Sequence, residues 1–301
     1  MTFFDAYFLW KEAVASSLVL SITLAVVGSY AMLRRVVFLP AALSQLSGLG
    51  VMLAFWLVHV FAFDGAVQSW GPLAVAMVIT FLGAMVMGKI PDTFAVSREA
   101  VIGVVYVLSS ALIIALANSL PEESHHVDNI LFGNAVLVDP MQMRLALGVS
   151  LAVLLVHVIF KRQFMFVAFD SETATVHGLQ TRRLDMLLFV TLAGVITVST
   201  KTIGALPTFA FSVLPPWFAI QRFKKSTSIL LVSAAIAAIA SFVGYWVSFQ
   251  LDLPTGAATA VLTGFLVVSL LLVTNVHRIP KRIRSRRSTR TRVSNQSLDA
   301  G

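Results

Sequence analysis

KRQFMFVAFDSETATVHGLQTRR, residues 161–183, decides how the rest of the chain is read. It is the longest polar island between long apolar runs. Lys161 and Arg162 open it, and Arg182 and Arg183 close it. Positive charge beside membrane segments marks the cytoplasmic side. The middle, SETATVHG, has the marks of a short helix: Ser171 as N-cap, Glu172 in the first turn and Gly178 at the stop. A short amphipathic helix held against the cytoplasmic membrane face is a docking surface for a soluble partner. An ordinary solvated loop would carry the same residues, and pattern alone leaves both readings open.

Composition sets the class. Of 301 residues, 58% are hydrophobic and 12% charged, and the mean hydropathy is +0.88. A soluble domain carries a charged fraction of about 25%. The expectation is an all-α, polytopic helical membrane protein. Its net charge of +8 sits in loops and tail, so it reads as topology and not as nucleic-acid binding. With no cysteine there is neither a disulfide nor a thiolate metal site. The N-terminus, MTFFDAYFLWKEA, lacks the basic region and cleavage site of a signal peptide, so the first apolar run is expected to be retained.

About nine apolar segments are expected, with eight as the alternative count. Their bounds are Ala13–Leu33, Ala41–Phe63, Gly71–Gly88, Ala100–Ala117, Met141–Phe160, Leu184–Val198, Ile203–Ile220, Ile229–Phe249 and Thr255–Thr274. Residues 1–12 then form a short periplasmic N-terminus and residues 13–275 the transmembrane domain, with the island 161–183 as its cytoplasmic loop. Residues 276–301 form a basic cytoplasmic tail, polar enough to be disordered and to rest on anionic membrane lipid. With the N-terminus outside, 19 of the 22 Lys and Arg residues fall inside, leaving Lys11, Arg144 and Lys201 outside. The opposite orientation reverses that ratio, so N-out/C-in is expected.

Two segments carry helix-breaking residues. Pro40 precedes the second, which holds Ser44, Ser47, Gly48 and Gly50. The seventh holds Pro207, Pro215 and Pro216. Proline removes a backbone donor, and in a membrane the freed carbonyl must find a partner or a polar cavity. Breaks at these places would mark a substrate pathway, although small residues equally serve close helix packing. Ala41, Ser44, Gln45, Ser47, Lys201 and Pro215 are the pathway candidates.

No catalytic constellation is present: there is no HExxH, Walker A loop or GxSxG. If transport is ATP-driven, the ATPase is therefore another chain. The spans hold almost no ionisable groups, of which His59 and His157 are the clearest, and a lone histidine is more often packed than a ligand. The scarcity of intramembrane acids argues against a proton-coupled carrier. Glu122, Glu123, His125, His126 and Asp128 form an outside loop of metal-ligand types, so His59, His125 and His126 are the metal candidates. Their spacing matches no closed site, and a solvated acidic loop explains them as well.

Six stretches carry a resemblance. They are LRRVVFLPAALSQLSGLGVMLAF from Leu33, SREAVIGVVYVLSSAL from Ser97, DNILFGN from Asp128, FDSETATVHGLQTRRLD from Phe169, TKTIGALPTFAFSVLPP from Thr200 and DLPTGAATAV from Asp252. In this order, over most of residues 13–275, the chain resembles the membrane permease subunits of bacterial zinc and manganese ABC importers, the ABC-3 family. The resemblance implies a type II ABC-importer-like permease in the bacterial inner membrane, working as a homodimer. It implies a cytoplasmic ABC ATPase dimer that holds ATP and magnesium, so that this chain binds no cofactor and is no enzyme. A periplasmic or lipid-anchored solute-binding protein would deliver the metal. The island becomes the coupling helix, with Phe169, Asp170, Ser171, Glu172, Val176, His177, Gly178 and Leu179 meeting the ATPase.

The second segment departs from the family pattern DALSHA, whose Asp and His look like metal-handling groups. Here Ala41 replaces the acid and Gln45 the histidine. Alanine offers no ligand, and an amide oxygen is a weak donor for zinc. The seventh departs too, with Pro215-Pro216-Trp217-Phe218-Ala219 where small residues follow the proline in PAATA. Metal could pass without coordination by the permease, His59 or the His125/His126 loop could substitute, or the cargo could be a metal chelate or another small solute. The rival classes are a secondary transporter, which would work as a lone chain on an ion gradient, and an intramembrane enzyme or sensor. Neighbouring genes for an ATPase and a binding protein would separate them.

Overall fold

The computed structural model describes residues 7–61, 66–90, 97–119 and 138–276. Among these there are only helices: α1 (Tyr7–Leu33), α2 (Leu39–Phe61), α3 (Ala66–Lys89), α4 (Arg98–Asn118), α5 (Pro140–Ile159), α6 (Lys161–Phe169), α7 (Ser171–Val176), α8 (Thr181–Ile203), α9 (Ala205–Arg222), α10 (Ser226–Leu251) and α11 (Thr255–Val276). Eight of them, α1–α5, α8, α10 and α11, are long and apolar enough to cross a membrane. The tail beyond Val276 lies outside the described residues, and α1 already begins at Tyr7, inside the expected N-terminal segment.

The expected seventh span takes a different form. It is α9, a helix of 18 residues whose hydropathy is lowered by Pro207, Thr208, Ser212, Pro215 and Pro216. At 1.5 Å per residue it reaches about 27 Å, short of a hydrocarbon core of about 30 Å. It packs inside the bundle against α1, α2, α8, α10 and α11.

The expected breaks are also absent from α2 and α9, which each run as one helix. Pro40 and Pro207 fall in first turns, where the missing donor costs nothing. Pro215 and Pro216 do leave carbonyls of the preceding turn unpaired. One of them, Ser212 C=O, lies against Gly28 of α1, where a Cβ would overlap it. The true interruption is Gly204. At φ 93° and ψ 164° it is the single residue between α8 and α9. α8 therefore extends past the expected end at Val198, and Lys201 belongs to this helix and not to a loop.

Helices α1 and α8 form the centre. α1 packs on α5, α8, α9 and α10, and α8 packs on α1, α2, α3 and α5. Every residue from 191 to 200 in α8 is buried. Leu24, Leu39, Leu43, Phe189, Leu192 and Phe211 fill the core between them. Many buried hydroxyls are absorbed by the helices that carry them, as in Thr197 Oγ1 to Ala193 O (2.8 Å) and Thr208 Oγ1 to Gly204 O (2.6 Å). Ser17 and Ser241 link α1 to α10 at 2.7 Å.

Candidate functional site

The polar island folds as two short helices. α6 leaves α5 almost without interruption, because Phe160 N–H donates to Val156 O and Phe164 N–H donates to Phe160 O. Its apolar residues Phe164, Met165 and Val167 are buried against the bundle. α7 is capped at both ends. Its N-cap is Asp170, not Ser171: the Asp170 carboxylate accepts from Thr173 N–H at 2.9 Å. The side-chain hydrogen bond of Thr173, and after it this backbone bond, hold the Asp170 carboxyl below its ordinary value.

At the other end Gly178, φ 82°, closes a Schellman motif. Leu179 N–H donates to Ala174 O, and Gly178 N–H donates to Thr175 O. Ala174 faces the core, while Val176 is 85% exposed and Phe169 63% exposed. His177 is exposed, its Nδ1 2.9 Å from Thr173 O and its ring edge-on to Phe166. The segment is thus a rigid, capped turn of helix that presents apolar side chains to solvent.

Beside α7 lies a polar cleft of about 750 Å³ lined by Arg34, Arg35, Lys89, Arg98, Glu172, Arg182 and Asp185, among others. Asp185 is buried and bonded to Arg34, with Arg98 Nη1 3.6 Å away. Arg34 Nη1 also donates to Val167 O at 2.7 Å, tying α1 to α6. Arg98 Nε donates to Ile90 O at 3.1 Å, and its guanidinium lies over the Phe189 ring. Asp185 was not among the residues expected to matter. A lone carboxylate one turn into an apolar run needs a buried cation, and that was the available signal.

The pathway candidates do not form one site. Ala41, Ser44 and Ser47 are buried near the start of α2, and Gln45 is half-buried. Ser44 Oγ donates to Ala41 O at 2.9 Å, whereas Ser47 Oγ has no partner among the described residues. Lys201 sits at the far end of α8, about 30 Å along that helix from Thr181 by its rise. There it lines a separate cavity of about 260 Å³ with Asp139, Gln142, Thr202, Leu73 and Met141. Pro215 is buried within α9.

Of the metal candidates, His59 is exposed at the end of α2, and His125 and His126 lie outside the described residues. No group of three or more metal-ligating side chains occurs among the described residues. His157 is packed: it stacks on Phe164, ring centroids 4.9 Å apart, and contacts Tyr30.

A family model, the ABC 3 transport family, matches residues 6–274, nearly the whole chain. The chain belongs to the ABC 3 transport family. The chelated iron transport system membrane protein YfeD of Yersinia pestis is 25% identical over 278 residues, covering 92% of this chain and 89% of YfeD. The manganese import system permease protein ScaB of Streptococcus gordonii is 28% identical over 263 residues, covering 87% and 90%. Among solved structures, PsaBC from Streptococcus pneumoniae in complex with Fab superposes with a TM-score of 0.74 at 23% identity, covering 88% of this chain and 93% of that one. ScaB is a permease by name and YfeD a transport-system membrane protein, and the ABC 3 chain described here shares its helical fold with PsaBC.

Proposed function

We propose that this permease passes a divalent transition metal (manganese, iron or zinc) inward across a bacterial inner membrane. It works as a homodimer, coupled to a separate ABC ATPase pair and supplied by a solute-binding protein. ATP and magnesium reside on the ATPase, and this chain binds no cofactor of its own. The end of the bundle that carries Arg34, Lys89, Arg98 and the island faces the cytoplasm, as the positive-charge rule requires.

One observation carries the reading. α7 is fixed at both ends by Asp170 and Gly178, yet leaves Val176 and Phe169 in solvent. Exposed apolar groups on a rigid, preorganised helix are what a soluble partner can grip. Closure of the ATPase pair would push on α7, and α6 and Arg34 would pass that push to α5 and α1. Reconstitution with the ATPase and binding protein in liposomes tests this. ATP-dependent accumulation of manganese, iron or zinc is the expected result. Uptake by the lone chain on an ion gradient would overturn it in favour of a secondary transporter.

A second reading keeps the machine and changes the cargo to a metal chelate or other small solute. What favours it is the buried start of α2, where Ala41, Ser44 and Ser47 offer neither carboxylate nor imidazole. Native mass spectrometry of the loaded binding protein separates the two. A bare ion supports the first, and an organic ligand supports the second.

A further inference from the structure

The cleft beside α7 carries an inference that rests on the docking reading and sharpens it. Its described lining holds five cations, Arg34, Arg35, Lys89, Arg98 and Arg182, against two carboxylates, Glu172 and Asp185. Asp185 is already taken up by Arg34 and Arg98 at the floor. Arg35, Lys89 and Arg182 are exposed, and Glu172 is the one exposed acid among the described lining residues. Among those residues positive charge is in excess in a concave setting, where the field is focused.

Arg35 supplies an independent observation. α1 ends in a Schellman motif: Val36 N–H donates to Ala31 O, and Arg35 N–H donates to Met32 O, both at 3.0 Å. The motif places Arg35 at φ 60°, the left-handed position that glycine fills with least strain. The same motif at the end of α7 does use glycine, Gly178. An arginine in that place bears a backbone cost for which the cap gives no return, and its guanidinium stands at the mouth of the cleft. Retained strain of this kind points to a contact made elsewhere.

We infer that the cleft of Arg35, Lys89 and Arg182 receives a carboxylate side chain of the cytoplasmic ATPase, in the same engagement that covers Val176. The ATPase is favoured over an anionic lipid headgroup by the wall of the cleft. Ser171 and Glu172 of α7 form part of it, so an occupant of the cleft lies beside the helix that bears the exposed Val176. A carboxylate fits the arginine pair in bidentate fashion and gives both register and on-rate. The chain's own basic tail is repelled from the site by like charge.

The test uses the full permease with its ATPase, in nanodiscs of phosphatidylcholine alone and with added phosphatidylglycerol. Arg35→Glu with Arg182→Glu is expected to weaken ATPase binding tenfold or more and to flatten its salt dependence between 50 and 500 mM. Arg35→Gly relieves the left-handed strain, so thermal stability is expected to hold or rise while ATPase affinity still falls. If the charge reversals leave affinity and its salt dependence unchanged while Val176→Asp abolishes binding, the cleft inference is wrong and the docking reading stands. If Val176→Asp also leaves binding intact, the docking reading itself fails. If the reversals change only the response to phosphatidylglycerol, the cleft is a lipid site and the inference is overturned.

Discussion

The coupling turn and the start of α2 invert the usual distribution of side chains in opposite directions. In α7, Val176 and neighbouring Phe169 are apolar and stand in water. In α2, Ser44 and Ser47 are polar and lie 2% and 1% exposed inside a membrane bundle. The first inversion costs nothing once a partner covers it, because covering exposed apolar surface is favourable. The second must be satisfied from within. Ser44 manages this by bonding its own helix, and Ser47 does not. The proposed docking surface and the proposed pathway thus leave different marks: one is unmet apolar area, the other an unmet hydrogen bond.

The contrast can be broken most sharply at Val176. Val176→Asp is expected to weaken ATPase binding at least 100-fold, on the scale of an interface hot spot of about 3 kcal/mol. The thermal unfolding of the permease alone should not move, and co-purification beside a melting curve would check both. Gly28→Val acts in the opposite region. Its Cβ and branches meet the Ser212 carbonyl, so the bundle should lose about 3 kcal/mol by overpacking. Here the melting curve should drop while any complex that forms keeps its affinity.

Gly178→Ala gives a smaller effect. Nothing lies within 4 Å of the new methyl, so the cost is backbone strain alone, about 1 kcal/mol. It should appear as lower amide protection at Leu179 and a modest loss of coupling. Ser47→Ala removes an unpartnered hydroxyl and should be neutral or stabilising by up to about 1 kcal/mol. If transport nevertheless falls, that hydroxyl touches the cargo; unchanged transport would assign Ser47 to packing.

The smallest effect concerns pH. The Asp170 carboxyl is held below its ordinary value of 3.8, so its cap is fully present above that value. The contribution is lost as pH falls through the folded-state pKa. The protection factor of the Thr173 amide should therefore be flat from pH 7 down to the ordinary carboxyl value of 3.8 and fall below it. Asp170→Asn should keep the cap and remove the dependence.

Class, eight of the nine expected spans and the capped island were legible because each rests on local pattern. Long apolar runs read as spans, and a polar stretch with Gly178 at its end read as a short helix. The N-cap was misplaced by one residue because Asp170 and Ser171 are both good caps, and only backbone angles choose between them. α9 was harder. Its run of apolar residues looks like a span, but whether 18 residues face lipid or protein depends on what packs around them. Pro215 and Pro216 read as a break. They are tolerated because Gly28 on α1, nearly two hundred residues away, leaves room for the Ser212 carbonyl. The pathway set mixed the two ends of the bundle, since sequence order does not give depth along a helix. Asp185 went unread because its partners Arg34 and Arg98 come from two other helices.

The junction at Phe160 has a mechanical consequence. Backbone hydrogen bonds run from Val156 through Phe160 to Phe164, so α5 and α6 behave as one bent rod and not as two rods on a hinge. The stack of His157 and Phe164 against Tyr30 wedges the elbow onto α1. A load applied at the foot of such a crank cannot dissipate in a slack loop. Under the proposed coupling it would reach the membrane as tilt of α5, with this aromatic stack as the pivot.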